Sequence, residues 1–124
     1  MNYQEYKYFS EKDFEKCTPS CTLSDMNHSF IKKLDIARMV AHTPFKLSSA
    51  FRSKIWEQEQ GRNGTSSHTK GLAVDIVANN SATRYLIISA LLSVGLTRIG
   101  LGKNFIHVDM DEEKSQNVIW HYYG

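Results

Sequence analysis

The chain is poor in several features that would otherwise decide its class. Only two of its 124 residues are cysteine, too few for the multi-bridge framework of a small secreted scaffold. Cys17 and Cys21 flank Pro19 and read as two reduced thiols at a turn. A short disulfide and a second metal site are the alternatives, the latter lacking an obvious second pair. The formal net charge is only +2, which gives no argument for nucleic acid and at most assists approach to an anionic polymer. The most apolar stretch, around Tyr85 to Leu92, is too short and too interrupted to span a bilayer, so no membrane insertion is expected. There is no internal repeat and no low-complexity segment. Met1 to Asp13 is tyrosine-rich and charged, without the basic and then apolar pattern of a secretory leader, so synthesis in the cytoplasm is expected.

What remains is an ordinary globular composition, 41% hydrophobic and 23% charged, in a length that suits one domain over residues 1–124 with a single core. Residues 1–22 read as an arm whose Tyr3, Tyr6, Tyr8, Phe9 and Phe14 can pack on the body. Ser24 or Asp25 can cap a helix running to about Ala41, with Phe30, Leu34, Ala37 and Ala41 on one face and Ile31 alongside. Phe45 to Phe51 suits a short strand, and Glu57 to Ser67, polar and carrying Gly61 and Gly64, a loop. Leu72 to Ala78 reads as a strand, and Ala82 to Val94 as a helix closed by Gly95. Strands follow at Thr97 to Leu101, Asn104 to Met110 and about Val118 to Tyr123. The expected architecture is α+β: a small antiparallel sheet with helices on one face and a cleft on the other.

The chemistry concentrates in Ser66 to Asp75. His68 falls in the loop entering a strand, and Asp75 is the lone carboxylate within Leu-Ala-Val-Asp-Ile-Val-Ala, where burial is costly unless the charge is paired or metal-bound. A neutral imidazole and a carboxylate are two ligand types of an open zinc site, which takes three protein ligands and a water. The third ligand is expected in Asn104 to Met110. On a strand, Phe105, His107 and Asp109 share one face while Ile106, Val108 and Met110 share the other. His107 is therefore expected as the third ligand, with Asp109 beside it. Gly71 fits a backbone bend that brings His68 back over the strand.

The pattern Ser-x-His-x-x-Gly-x-Ala-x-Asp, met by Ser66, His68, Gly71, Ala73 and Asp75, closely resembles the signature of the zinc D-alanyl-D-alanine carboxypeptidases. These belong to the superfamily that also holds lysostaphin-type peptidases and the hedgehog signalling domain. Ser48 to Ser53 resembles the Ser-Gly-Tyr-Arg-Ser segment of that family, and the similarity extends through Phe105 to Asp109, reaching from about Phe9 to the C-terminus. It implies a zinc metallopeptidase acting on peptidoglycan stem peptides, as a D-Ala-D-Ala carboxypeptidase or a related endopeptidase. It implies a monomer and a bacteriophage lytic or virion-associated enzyme, reaching the bacterial cell wall after release.

Under this reading His68, Asp75 and His107 hold Zn2+. Arg52 holds a substrate carboxylate or the developing oxyanion, and Ser66 orients a ligand or contacts substrate. Relatives often place an acid three residues before the last zinc histidine, and here that position is Asn104, which cannot take a proton. Asp109 is the replacement, taking a proton from the attacking water and returning it to the leaving amine; the alternative is an Asp109 that orients His107 through its free ring nitrogen. Some members carry the third ligand in a Trp-His pair preceded by a glutamate. Val118 stands where that glutamate would be, so His121 is expected as a rim or substrate contact. The rival reading is a non-catalytic zinc-binding structural or wall-binding domain with the same fold.

Overall fold

The computed structural model describes residues 6–123; Tyr3 of the expected arm lies outside them. The helices are α1 (Glu11–Glu15), α2 (His28–Ala41), α3 (Lys54–Glu59) and α4 (Ser81–Ser93), and the strands are β1 (Leu47–Ser49), β2 (Ala73–Val77), β3 (Arg98–Leu101), β4 (Phe105–Asp109) and β5 (Val118–His121). The five strands form one sheet in the order β1-β2-β4-β3-β5. All pairings are antiparallel except the last: β5 runs parallel to β3. The sheet is thus mixed at that edge, because the segment after β4 crosses to the far side of β3 before pairing.

Alternation along the strands separates the two faces. Val74 and Ile76, Ile106 and Val108, and Ile99 are fully buried on one side. There they join Phe30, Ile31, Leu34, Ala37 and Ala41 of α2 and Ile87, Ala90 and Leu91 of α4 in a single core. Each of the large apolar side chains contributes about 1.5–3 kcal/mol by leaving water. Tyr6, Phe9 and Phe14, together with Cys17 and Cys21, belong to the same core, and both cysteines are free thiols. Residues 6–22 therefore complete the hydrophobic interior as well as covering it, and they include the short helix α1, whose first turn carries a capping box between Ser10 and Asp13.

The helix expected from Ser24 or Asp25 begins later. Asp25 Oδ2 accepts from Thr22 N–H at 2.9 Å and Thr22 Oγ1 at 3.0 Å, which closes a 3-10 turn over Leu23–Asp25. Met26 is extended, and Asn27 then caps α2 by accepting from Phe30 N–H at 3.0 Å. Gly71 packs against this junction. Its φ is +70°, and a Cβ there would lie 2.4 Å from the Asp25 carbonyl oxygen, while its own carbonyl accepts from Asn27 N–H. Only glycine permits both the left-handed turn and the close approach. The bend expected at Gly71 therefore also ties the His68 turn to the start of α2.

The polar stretch expected as a loop from Glu57 is partly helical. Ser53 accepts from Trp56 N–H at 3.0 Å and starts α3, and Gly61, at φ +82°, follows its end. Glu57 is consequently not a loop carboxylate over the cleft. It is fully buried.

Candidate metal centre and cleft

The face of the sheet opposite α2 and α4 carries the chemistry, and the strand register places it. Asp75 of β2 pairs with His107 of β4, His107 with Gly100 of β3, and Gly100 with Trp120 of β5. One row across four strands therefore holds a carboxylate, an imidazole, a gap and an indole. Gly100 supplies the gap: a Cβ there would lie 2.8 Å from atoms of both the Trp120 and Tyr122 rings. The next row pairs Ala73 with Asp109 and Asp109 with Arg98.

His68 reaches this face from a 3-10 turn, Ser67–Lys70, that ends on Gly71. His68, Asp75 and His107 are all buried, and one ligand atom of each lies within 4.8 Å of the others. Asp75 Oδ1 is 3.5 Å from His68 Nε2 and 3.1 Å from His107 Nδ1. The outward nitrogen of each imidazole meets an acceptor. His68 Nδ1 sits 2.6 Å from the Ala50 carbonyl, and His107 Nε2 sits 2.7 Å from Asp109 Oδ2. An acceptor fixes the N–H on that side of a neutral ring, which leaves His68 Nε2 and His107 Nδ1 available to a cation beside Asp75; when protonated, the same nitrogens donate to the carboxylate. Two imidazole nitrogens and one carboxylate oxygen, converging at the floor of a cleft, fit a divalent ion of intermediate softness with a position left for substrate or water.

Asp75, His107 and Asp109 support one another's charges. Burial would raise the pKa of Asp75, but hydrogen bonds from His107 and His68 outweigh it and hold the carboxyl well below the usual carboxylate range. Burial opposes charge on His107, yet Asp109 and Asp75 on either side raise its pKa. For Asp109, burial is again overcome, by hydrogen bonds from His107 and Arg98, and its pKa is lowered.

Asp109 stands behind His107. Its Oδ1 accepts from Arg98 Nε at 2.6 Å and from Asp111 N–H at 3.1 Å, and its Oδ2 faces His107 Nε2. Both oxygens thus have buried donors, and the nitrogen of His107 that faces Asp75 is the other one, Nδ1. This geometry suits a carboxylate that orients the ring, the alternative considered for it above. Asn104, three residues before His107, directly precedes β4, and its carbonyl accepts from Ala78 N–H.

Arg52 follows β1 and reaches three partners. Its Nε donates to Ser49 Oγ at 3.0 Å, Nη1 to Glu57 Oε2 at 3.4 Å, and Nη2 to Asp75 Oδ2 at 3.3 Å. Ser66 Oγ donates to the same Glu57 oxygen. The model of the peptidase M15 family matches residues 7–109, a span that contains every one of these groups. The chain belongs to the peptidase M15 family. Its fold is also similar to the crystal structure of L-Ala D-Glu endopeptidase ChiX from Serratia marcescens, with a TM-score of 0.56 and 21% sequence identity over 88% of this chain and 93% of that one. No curated protein sequence matches.

In this M15 peptidase the cleft has a volume of about 480 Å³. Arg52, Arg62, Arg98 and Lys114 line it, facing only two lining carboxylates, Asp75 and Asp109. Phe105, Trp120 and Tyr122 form an aromatic wall. The Trp120 and His107 rings are 5.5 Å apart, and the Arg98 guanidinium lies 4.9 Å from the Trp120 ring centroid. Ser66 lines the cleft. His121 does not: alternation turns it to the other side of β5, exposed, where it stacks on Tyr123 at 5.1 Å. The rim contacts expected of His121 thus fall to its neighbours Trp120 and Tyr122.

Three residues of the site escaped the sequence reading, Arg98, Trp120 and Tyr122, and Glu57 was expected in a loop above the site. For Glu57 the available signal was Ser53, whose capping starts a helix and turns Glu57 back beneath Arg52. For Trp120 and Tyr122 it was strand alternation, but the parallel pairing that brings them beside His107 is non-local and leaves no mark on the sequence.

Proposed function

We propose that this chain is a zinc-dependent peptidase that hydrolyses peptide bonds in peptidoglycan stem peptides. The observation that carries the reading is the convergence of His68 Nε2, Asp75 Oδ1 and His107 Nδ1 at the floor of an open cleft, in a chain of the peptidase M15 family. His68, Asp75 and His107 would hold zinc, which would supply a Lewis acid for the scissile carbonyl and lower the pKa of water toward neutrality. The chain's own residues do the rest. The Ala50 carbonyl and Asp109 hold the two imidazoles in the required tautomer and direction. Arg52 offers a guanidinium to negative charge on the substrate or developing in the transition state. The cationic lining suits a substrate rich in carboxylates, as stem peptides are, and the aromatic wall shields one side of the reacting bond from water.

The fold it shares with an L-Ala D-Glu endopeptidase favours an internal bond of the stem peptide over the terminal D-Ala-D-Ala bond. We place its action at the bacterial cell wall after release from the cell, as in phage lysis, with the chain working as a monomer. The competing reading, a wall-binding domain without turnover, draws on Asn104, which cannot carry a proton. Purified peptidoglycan incubated with the zinc-loaded protein decides between them. We expect soluble stem-peptide fragments, identified by mass spectrometry, that vanish when zinc is chelated. Binding to the polymer with no fragments released would favour the non-catalytic domain.

A further inference from the structure

Glu57 is a costly residue to bury. Its side chain is 1% exposed, its Oε2 is shared between Ser66 Oγ and Arg52 Nη1, and its Oε1 is buried with no hydrogen-bond partner. A buried carboxylate with one oxygen unsatisfied is a poor source of stability, and a neutral residue of the same shape serves the fold as well or better. What the charge does is visible one step away. The guanidinium it engages is the one that engages the outer oxygen of Asp75. Ser49 Oγ accepts from the third edge, so Arg52 is held between two carboxylates at nearly equal distances, 3.4 and 3.3 Å.

We propose that Glu57 is a positioning residue for the metal ligand Asp75, acting through Arg52. The inference rests on the reading that His68, Asp75 and His107 hold zinc. With Glu57 ionised, Arg52 is half-compensated. It can hold Asp75 Oδ2, and so present Oδ1 to the two imidazoles, without drawing the whole negative charge of that carboxylate away from a cation. Remove the charge of Glu57, and Arg52 bears on Asp75 alone. The ligand becomes a weaker donor, and an uncompensated positive charge stands beside the site of a divalent ion. The chain Glu57–Arg52–Asp75 thus sets metal affinity from a residue that never approaches the metal.

The test is zinc affinity, measured by competition with a chromophoric chelator, for the wild type, Glu57→Gln, Arg52→Met and the double variant, alongside melting of the metal-free proteins. Glutamine keeps the shape and an acceptor for Ser66. We expect Glu57→Gln to bind zinc about 10-fold more weakly, the low end for an outer partner of a ligand, with an unchanged or higher melting temperature. In the Arg52→Met background the same change should have almost no effect on affinity, since the intermediary is gone. If Arg52→Met does not fold, Arg52→Lys replaces it, because a single ammonium cannot span both carboxylates, and the effect of Glu57→Gln should again shrink. Wild-type affinity in Glu57→Gln, or an equal loss with and without Arg52, would overturn the proposal while leaving the zinc site intact. A wild-type protein that binds no zinc would overturn the reading of the site itself, and this inference with it.

Discussion

His107 Nε2 lies 2.7 Å from Asp109 Oδ2, and Arg98 Nε lies 2.6 Å from the other oxygen of the same carboxylate. Arg98 and Asp109 are direct partners across β3 and β4, so the sheet register itself sets the direction of the ring. The imidazole is held from behind, and its other nitrogen is turned to Asp75.

Asp109→Asn should therefore act on metal binding before it acts on proton transfer. We expect zinc affinity to fall by roughly 10- to 100-fold, the usual consequence of losing an outer hydrogen-bond partner of a ligating histidine, with the fold retained. Metal content and turnover should be measured on the same samples. A fully loaded variant with turnover reduced by about 10² or more would instead give Asp109 the proton-carrying role.

Two histidines distinguish the placement of the third ligand. His107→Ala should empty the metal site, whereas His121→Ala, exposed on the far side of β5, should retain zinc at the wild-type level. Elemental analysis after dialysis reads the outcome directly. Loss of zinc in His121→Ala with retention in His107→Ala would move the ligand to β5.

Chelation should lower thermal stability, since an ion bound only by the folded chain adds RT ln(1 + [L]/Kd). At free zinc about 100-fold above Kd this is about 2.7 kcal/mol, or roughly 10 °C in Tm for a domain of this size. Melting curves with and without chelator, on the wild type and on His107→Ala, check it: the variant should melt at the same temperature in both.

Asp111 links the His68 turn to the end of β4. It accepts from Ser67 Oγ at 2.7 Å and from Lys70 Nζ at 3.0 Å. Burial opposes its ionisation, but these hydrogen bonds prevail and lower its pKa from 3.8. A lowered folded value means that the stabilisation is present above about pH 4 and is lost as the pH falls through the folded pKa. Asp111→Asn should thus cost about 1–3 kcal/mol at neutral pH, and the gap from the wild type should close in acid. Urea titrations at pH 7 and below pH 3 measure both ends. An unchanged gap would mean that charge on Asp111 contributes nothing.

The convergence of His68, Asp75 and His107 and the two sheet faces were legible because their signals are local. His68, Gly71 and Asp75 fall within one turn and strand, and the alternation of Phe105 to Asp109 is enough to place His107 on the polar face. The α2 core stripe, from Phe30 to Ala41, is likewise written in its spacing. What could not be read depends on contacts between distant segments. The later start of α2 follows from Gly71 packing against Asp25, and the buried state of Glu57 follows from Arg52 and Ser66 closing over it. The parallel edge at β5 depends on where the chain crosses after β4, and Asp109 took its place behind His107 only once Arg98 arrived from β3.

Gly100 gives the cleft its gauge. Trp120 and Tyr122 lie directly over a position with no side chain, so a single methyl group there would have to lift two rings off the sheet and into the passage beside His107. The width of the cleft is thus set at β3, by a residue that is not among those lining it. A relative carrying alanine at that position would present a narrower slot with its ligand set unchanged.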